Sequence, residues 1–117
     1  MGYDEKLADR VREALSDIPN VEEKKMFRGV TFMVDGKMCV SVSGDELMLR
    51  LDPDLTEQLV EEPGTRPMVH GGKHMKGFIY VSSERFSNKK DFDHWINLAL
   101  EYNPRAKSSK NKVKSFT

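Results

Sequence analysis

The sequence predicts an α+β fold, a two-layer sandwich in which an antiparallel sheet carries helices on one face in the order α-β-β-β(-β)-α-β-β-α. Three observations predict it. Leu7, Val11, Leu15 and Ile18 recur at helical spacing and draw one apolar stripe near the start. Between Val21 and Leu51 the period drops to two: Val30, Phe32 and Val34, then Met38, Val40 and Val42, then Leu47, Leu49 and Leu51 occupy alternate positions. Near the end Phe92, Trp95, Ile96, Ala99 and Tyr102 draw a second, wider helical face. Strands that follow one another through short turns pair antiparallel, so the helices flank a meander.

The first helix is expected over 3–18. Asp4 suits its N-cap, because a carboxylate accepts from the free amides of the first turn, and Pro19 disfavours helical geometry at Ile18. Lys24 to Phe27 is expected to form a strand segment, broken from the next by Arg28-Gly29. For the following hairpin a three-residue Val34-Asp35-Gly36 loop is preferred. It sets Met33 against Lys37 and Phe32 against Met38, aligning both apolar sets on one face, with Gly36 in a left-handed bulge position. Ser43-Gly44-Asp45-Glu46 then pairs Val42 with Leu47. Asp52-Pro53 reads as a capped helix start, with Leu55, Leu59 and Val60 on its apolar side and Pro63-Gly64 as its stop. Strands near Pro67–Val69 and Lys76–Val81 follow, joined across Gly71-Gly72-Lys73-His74. A closing helix is capped by Ser87 or Asn88 and ends by Pro104.

The chain has 117 residues and zero formal net charge. One domain is expected, over residues 1–102, followed by a basic tail, 103–117, with the composition of disorder. The tail holds Arg105, Lys107, Lys110, Lys112 and Lys114 and no acid, so residues 1–102 carry 14 basic against 19 acidic side chains, a net of −5. A body of that sign repels a phosphate backbone unless its charges are segregated. No apolar run of membrane-spanning length and no secretory leader is present, so a cytoplasmic protein that does not engage membranes is expected. Cys39 is the one cysteine, which excludes an internal disulfide, and its simple reading is a small apolar strand residue.

No catalytic set emerges. His70 and His74 stand four apart across a turn, unlike the helical pair of metalloproteases, and no third ligand is evident; the expectation is no metal and no cofactor. Gly71-Gly72-Lys73 lacks both the spaced glycine and the Ser or Thr of a phosphate loop. Glu22-Glu23 and Glu61-Glu62 read as solvated surface. The methionines are more informative. Lys25-Met26, Lys37-Met38 and Met75-Lys76 place a flexible thioether beside a cation, and Met33 and Met48 fall opposite the expected core face. Gap-filling within the core is the simple reading; an adaptable apolar face with basic edges, suited to docking another chain, is the sharper one.

The blocks Lys24-Lys25-Met26-Phe27-Arg28-Gly29, Phe32-Met33-Val34-Asp35-Gly36, Arg66-Pro67-Met68 and Met75-Lys76-Gly77-Phe78-Ile79-Tyr80-Val81, with Tyr3-Asp4-Glu5-Lys6-Leu7 and Glu62-Pro63-Gly64, occur in an order similar to that of the N-terminal domain of the TfoX/Sxy family of bacterial competence regulators. The resemblance covers about residues 3 to 102. It implies an α+β sandwich and a regulatory protein. Members that add a helical C-terminal domain regulate DNA-uptake genes together with a cyclic-AMP receptor protein. This chain stops soon after the first domain, so a stand-alone module is expected. Arg28 departs from the family's frequent second glycine.

The expected function is therefore non-enzymatic: a regulatory module that contacts another protein. Candidate contacts are Lys24, Lys25, Met26, Arg28, Met33, Met48, Arg50, Met75 and Lys76. Phe27, Gly29, Gly36, Pro67, Met68 and Gly77 are expected to be structural. Two alternatives stand beside it. One is nucleic-acid binding through the basic tail, with Lys24, Lys25 and Arg28 as a further patch; the other is a small-ligand binder or enzyme using a cleft near Lys76, Tyr80 and His74.

Overall fold

Asp4 opens helix α1 (Glu5–Ala14) as expected: its carboxylate accepts the N–H groups of Lys6 (2.9 Å) and Leu7 (3.2 Å), two of the amides a helix leaves without internal partners. The chain is described by a computed structural model over residues 3–26 and 29–106. Phe27, Arg28, Lys107, Lys110, Lys112 and Lys114 lie outside the described residues. The helix stops at Ala14 instead of Ile18, because the bonds tighten to Ser16 N–H to Glu13 O and Ile18 N–H to Leu15 O ahead of Pro19. Leu7, Val11 and Leu15 are buried nonetheless.

Six strands follow: β1 (Val21–Met26), β2 (Gly29–Val34), β3 (Lys37–Ser43), β4 (Glu46–Arg50), β5 (Thr65–His70) and β6 (Lys73–Val81). They form one sheet in the order β1-β2-β3-β4-β6-β5, and every neighbouring pair is antiparallel. The β2–β3 hairpin corrects the expected register. Its turn is the two-residue Asp35-Gly36, with φ of 55° and 77°, the double left-handed geometry favoured in tight hairpins. Met33 therefore faces Met38 and Val34 faces Lys37. Most of the apolar sets still meet on one face, because the register shifts at Phe32/Met33: Cys39 is an extra residue in β3, and beyond it Phe32 faces Val40 and Val30 faces Val42. Met38, expected opposite Phe32 on the core face, is instead carried with Met33 to the other. Val42 faces Leu47 as expected.

Helix α2 (Pro53–Leu59) carries Asp52 as its cap and crosses from β4 to the far edge, packing on β6. A 3₁₀ turn (Ser83–Phe86) leads to α3 (Lys89–Tyr102), which is capped by Asn88. The core joins Leu7 and Val11 of α1 and Phe92, Trp95, Ile96 and Ala99 of α3 to Val30, Phe32, Val40, Val42, Leu47, Leu49, Ile79 and Val81 of the sheet. Leu55, Leu59 and Val60 pack against the same core, so the helices share one sheet face.

The packed body runs past the expected boundary at residue 102. Asn103 is buried and donates from Nδ2 to Val34 O (3.2 Å), Lys37 Nζ donates to Asn103 O (3.2 Å), Arg105 pairs with Asp52 (3.0 Å), and Ala106 is buried. The basic character of the segment hid this anchor, which rests on a neutral amide and one small apolar side chain.

Thr31 and Ser41 lie opposite each other on β2 and β3 with no exposure, their hydroxyls 2.6 Å apart. Each satisfies the other, which sets up an asymmetry. Thr31→Val alone strands the Ser41 hydroxyl and is expected to cost about 1–3 kcal/mol, whereas Thr31→Val with Ser41→Ala recovers most of that loss. A double-mutant cycle by urea denaturation measures the coupling.

Candidate interaction surface

Side chains alternate across a strand, so the register that sends Phe32, Val40, Leu49 and Ile79 toward the helices sends their neighbours to the other face. Lys24, Thr31, Ser41, Met48, Tyr80 and Arg66 are directly opposed from strand to strand and form one row across all six strands. Beside it, Met33 faces Met38 and Arg50 faces Phe78. No helix among the described residues lies on this side.

The face has a sealed centre and an accessible rim. Thr31 and Ser41 are fully buried and Met48 is 1% exposed, which corrects the expectation that Met48 partly faces outward. It sits on a central strand, flanked by Ser41 and Tyr80 of the strands on either side. Met33, Met38, Arg50, Phe78 and Tyr80 are half-buried, and Lys24 and Arg66 are exposed. The Arg50 guanidinium stands 5.4 Å from the centre of the Phe78 ring, and that of Arg66 stands 4.3 Å from the Tyr80 ring while pairing with Glu46. Each cation shares a flat apolar ring with solvent, an arrangement stabilised by the ring quadrupole. Sequence reading missed these two pairs because each cation and its ring come from different strands; Phe78 and Tyr80 at alternate positions were the available signal.

The other candidates scatter. Lys24 and Lys25 lie exposed on the edge strand β1. Met75 (37% exposed) and Val69 (53%) project from the β5–β6 hairpin with exposed Lys73, His74 and Lys76, whereas Met68 is buried. Met26 closes β1 and Pro67 sits in β5 opposite Ile79. Gly29 and Gly77 occupy tight backbone positions. Two open clefts, of about 430 and 400 Å³, are lined by residues that include Asp4, Arg10, Glu84 and Phe86 in one and Leu15, Ile18, Val21 and Phe32 in the other. Neither is lined by Lys76, Tyr80 or His74.

Chemically reactive groups are muted. Burial pushes the Cys39 thiol up to about 12, against the opposing pull of Arg50, so it stays protonated near neutral pH and is a poor nucleophile. Among the described residues no three His, Cys, Asp or Glu side chains gather as metal ligands. Hydrogen bonds from Arg12 hold the Glu23 carboxyl below its ordinary range, and Asp52 is lowered first by the Asp54 N–H and then by Arg105. Both are surface ion pairs. Among the described residues no helix is long and apolar enough to cross a membrane.

A family model described as the TfoX N-terminal domain matches residues 13–102. A search among curated proteins gives no match. Among solved structures, the Deinococcus radiodurans protein DR2400, described with the domain DUF419, aligns with a TM-score of 0.61 at 17% identity, over 90% of this chain and 85% of that one. Identity that low speaks to the fold alone. The family match spans the whole sheet and both helices that follow α1, and on that ground the chain belongs to the TfoX N-terminal domain family.

Proposed function

We propose that the chain is a non-enzymatic regulatory module that docks another protein on the helix-free face of its sheet. One observation carries this reading: the half-buried rim of that face is made of Met33, Met38, Arg50, Phe78 and Tyr80, with exposed Arg66 at one margin and exposed Glu22 and Lys24 at the other. Aromatic residues, Met and Arg are the side chains enriched in protein interfaces, and Tyr and Arg dominate their energetic centres. Family membership supports a regulatory role, transcriptional control of DNA uptake being the process the family suggests. The buried, protonated Cys39 supports a role without catalysis.

Affinity capture from native extract, followed by calorimetry with the purified partner, tests the reading. Arg50→Ala and Tyr80→Ala are each expected to weaken binding by about 30-fold or more, the hot-spot range. Lys89→Ala, on the helix side, is expected to leave it unchanged. Equal affinity for all three variants would place the partner elsewhere. In the nucleic-acid alternative, the one basic tail side chain among the described residues, Arg105, is already paired with Asp52. Steeply salt-dependent binding to DNA or RNA that vanishes on deleting residues 107–117 would favour it instead.

A further inference from the structure

The two edges of the sheet are unlike. On β5, Pro67 has no N–H to offer and the ladder to β6 shifts between Pro67 and Val69. On β1, Val21–Met26 pairs with β2 without a break and contains neither Pro nor Gly. Its backbone orientation follows from the bond Asp35 N–H to Asn20 O (3.0 Å), which continues the same register. Even-numbered residues therefore bond inward to β2, and the N–H and C=O groups of Val21, Glu23 and Lys25 point out of the sheet. Among the described residues no strand takes them up.

We infer that β1 is the seam of a homodimer, in which this edge pairs antiparallel with the same strand of a second copy, centred on Glu23. Charges on an edge strand ordinarily discourage pairing, but here their order, Glu22-Glu23-Lys24-Lys25, suits a second copy. A two-fold axis normal to the sheet returns each residue to its own face, so opposed positions must both be even or both be odd. Centred on Lys24, the pairing would set two lysines directly against each other. Centred on Glu23, it sets Glu22 of each copy against Lys24 of the other, twice, on the helix-free face. These are the positions without backbone bonds across the seam, where side chains approach most closely.

The remaining contacts agree with that centre. The two Glu23 side chains meet at the axis, yet each is already neutralised by Arg12, which donates to it at 2.6 and 2.8 Å. Lys25 falls opposite Val21 of the other copy on the helix side. There its alkyl stem lies beside the cleft that Leu15, Ile18 and Phe32 share with Arg12, Asn20 and Glu23. Glu22, Lys24 and Lys25 are exposed and have no ion-pair partner among the described residues. The seam supplies a partner for the first two. One six-residue strand is small beside the ~1,200–2,000 Å² of stable interfaces, so a dissociation constant on the order of 10–100 μM is expected.

Sedimentation from about 10 μM to about 1 mM chain tests the seam. The wild type is expected to dimerise reversibly. Glu22→Lys and Lys24→Glu, each checked for a native circular dichroism spectrum, are expected to weaken self-association by about tenfold, because each sets like charges together twice. An equimolar mixture of the two variants is expected to regain dimer, since every opposed pair is then complementary. Amide exchange on the wild type needs no substitution: the N–H groups of Val21, Glu23 and Lys25 should gain protection as concentration rises. A wild type that stays monomeric, a variant that dimerises as well as the wild type, a mixture that does not associate, or protection independent of concentration would each overturn the inference. None of these outcomes depends on docking at the helix-free face, so the two proposals fail separately.

Discussion

Replacing Gly29 with alanine is expected to destabilise the fold by about 3 kcal/mol or more, enough to leave a large unfolded population in a small domain. Gly29 opens β2 opposite Ser43 and next to the β3 backbone. A Cβ at this position would stand 1.7 Å from the carbonyl oxygen of Val42 and 2.8 Å from its carbon. Both atoms belong to the backbone of a paired strand and cannot rotate aside, so relief requires parting β2 from β3 beside the buried Val30–Val42 pair. Urea denaturation checks this, with Gly36→Ala as the control. Gly36 has open space for a Cβ and only its left-handed φ to oppose one, so about 1 kcal/mol is expected there.

Gly77→Val is expected to cost about 3 kcal/mol and to loosen the β5–β6 hairpin beyond it. Gly77 has φ of +88° and sits where β6 departs from its register with β5. Its carbonyl accepts the Leu51 N–H (2.7 Å) and its own N–H reaches Thr56 Oγ1 (3.3 Å), tying the bend to the start of α2. A Cβ would lie 3.1 Å from Leu51 O, and a β-branched side chain tolerates positive φ least of all. Thermal unfolding measures the stability loss. Faster amide exchange at Met75 and Lys76 than in wild type reports the freed hairpin. Unchanged stability would mean that the bend relaxes without Gly77.

Much of the fold was legible because period and capping act locally. The alternation of Val30, Phe32 and Val34 and the carboxylates of Asp4 and Asp52 carry their meaning within a few residues, and each element they indicated is present. The β2–β3 register was not legible, because it depends on a trade between a tight Asp35-Gly36 turn and an extra residue at Cys39. Both alternatives bring Val30, Phe32 and Val40 to one face, so hydrophobic pattern cannot separate them. The end of the body was hidden for a different reason. Asn103 anchors it through a bond to Val34, a partner remote in sequence. Of the candidate surface, the bare face was readable from alternation, but the burial of Met48 and the Arg50–Phe78 and Arg66–Tyr80 pairs arise from strands brought together only by the sheet order.

Docking on the helix-free face is tested most directly by the methyl resonances of methionines during titration with the captured partner. Met33 and Met38 lie on that face, whereas Met75 stands apart on the β5–β6 hairpin. Saturable shifts of the Met33 and Met38 methyls and of the Phe78 and Tyr80 rings, with Met75 unmoved, are expected. Saturable binding that leaves those four groups in place and instead perturbs α1 or α3 would contradict the assignment of this face.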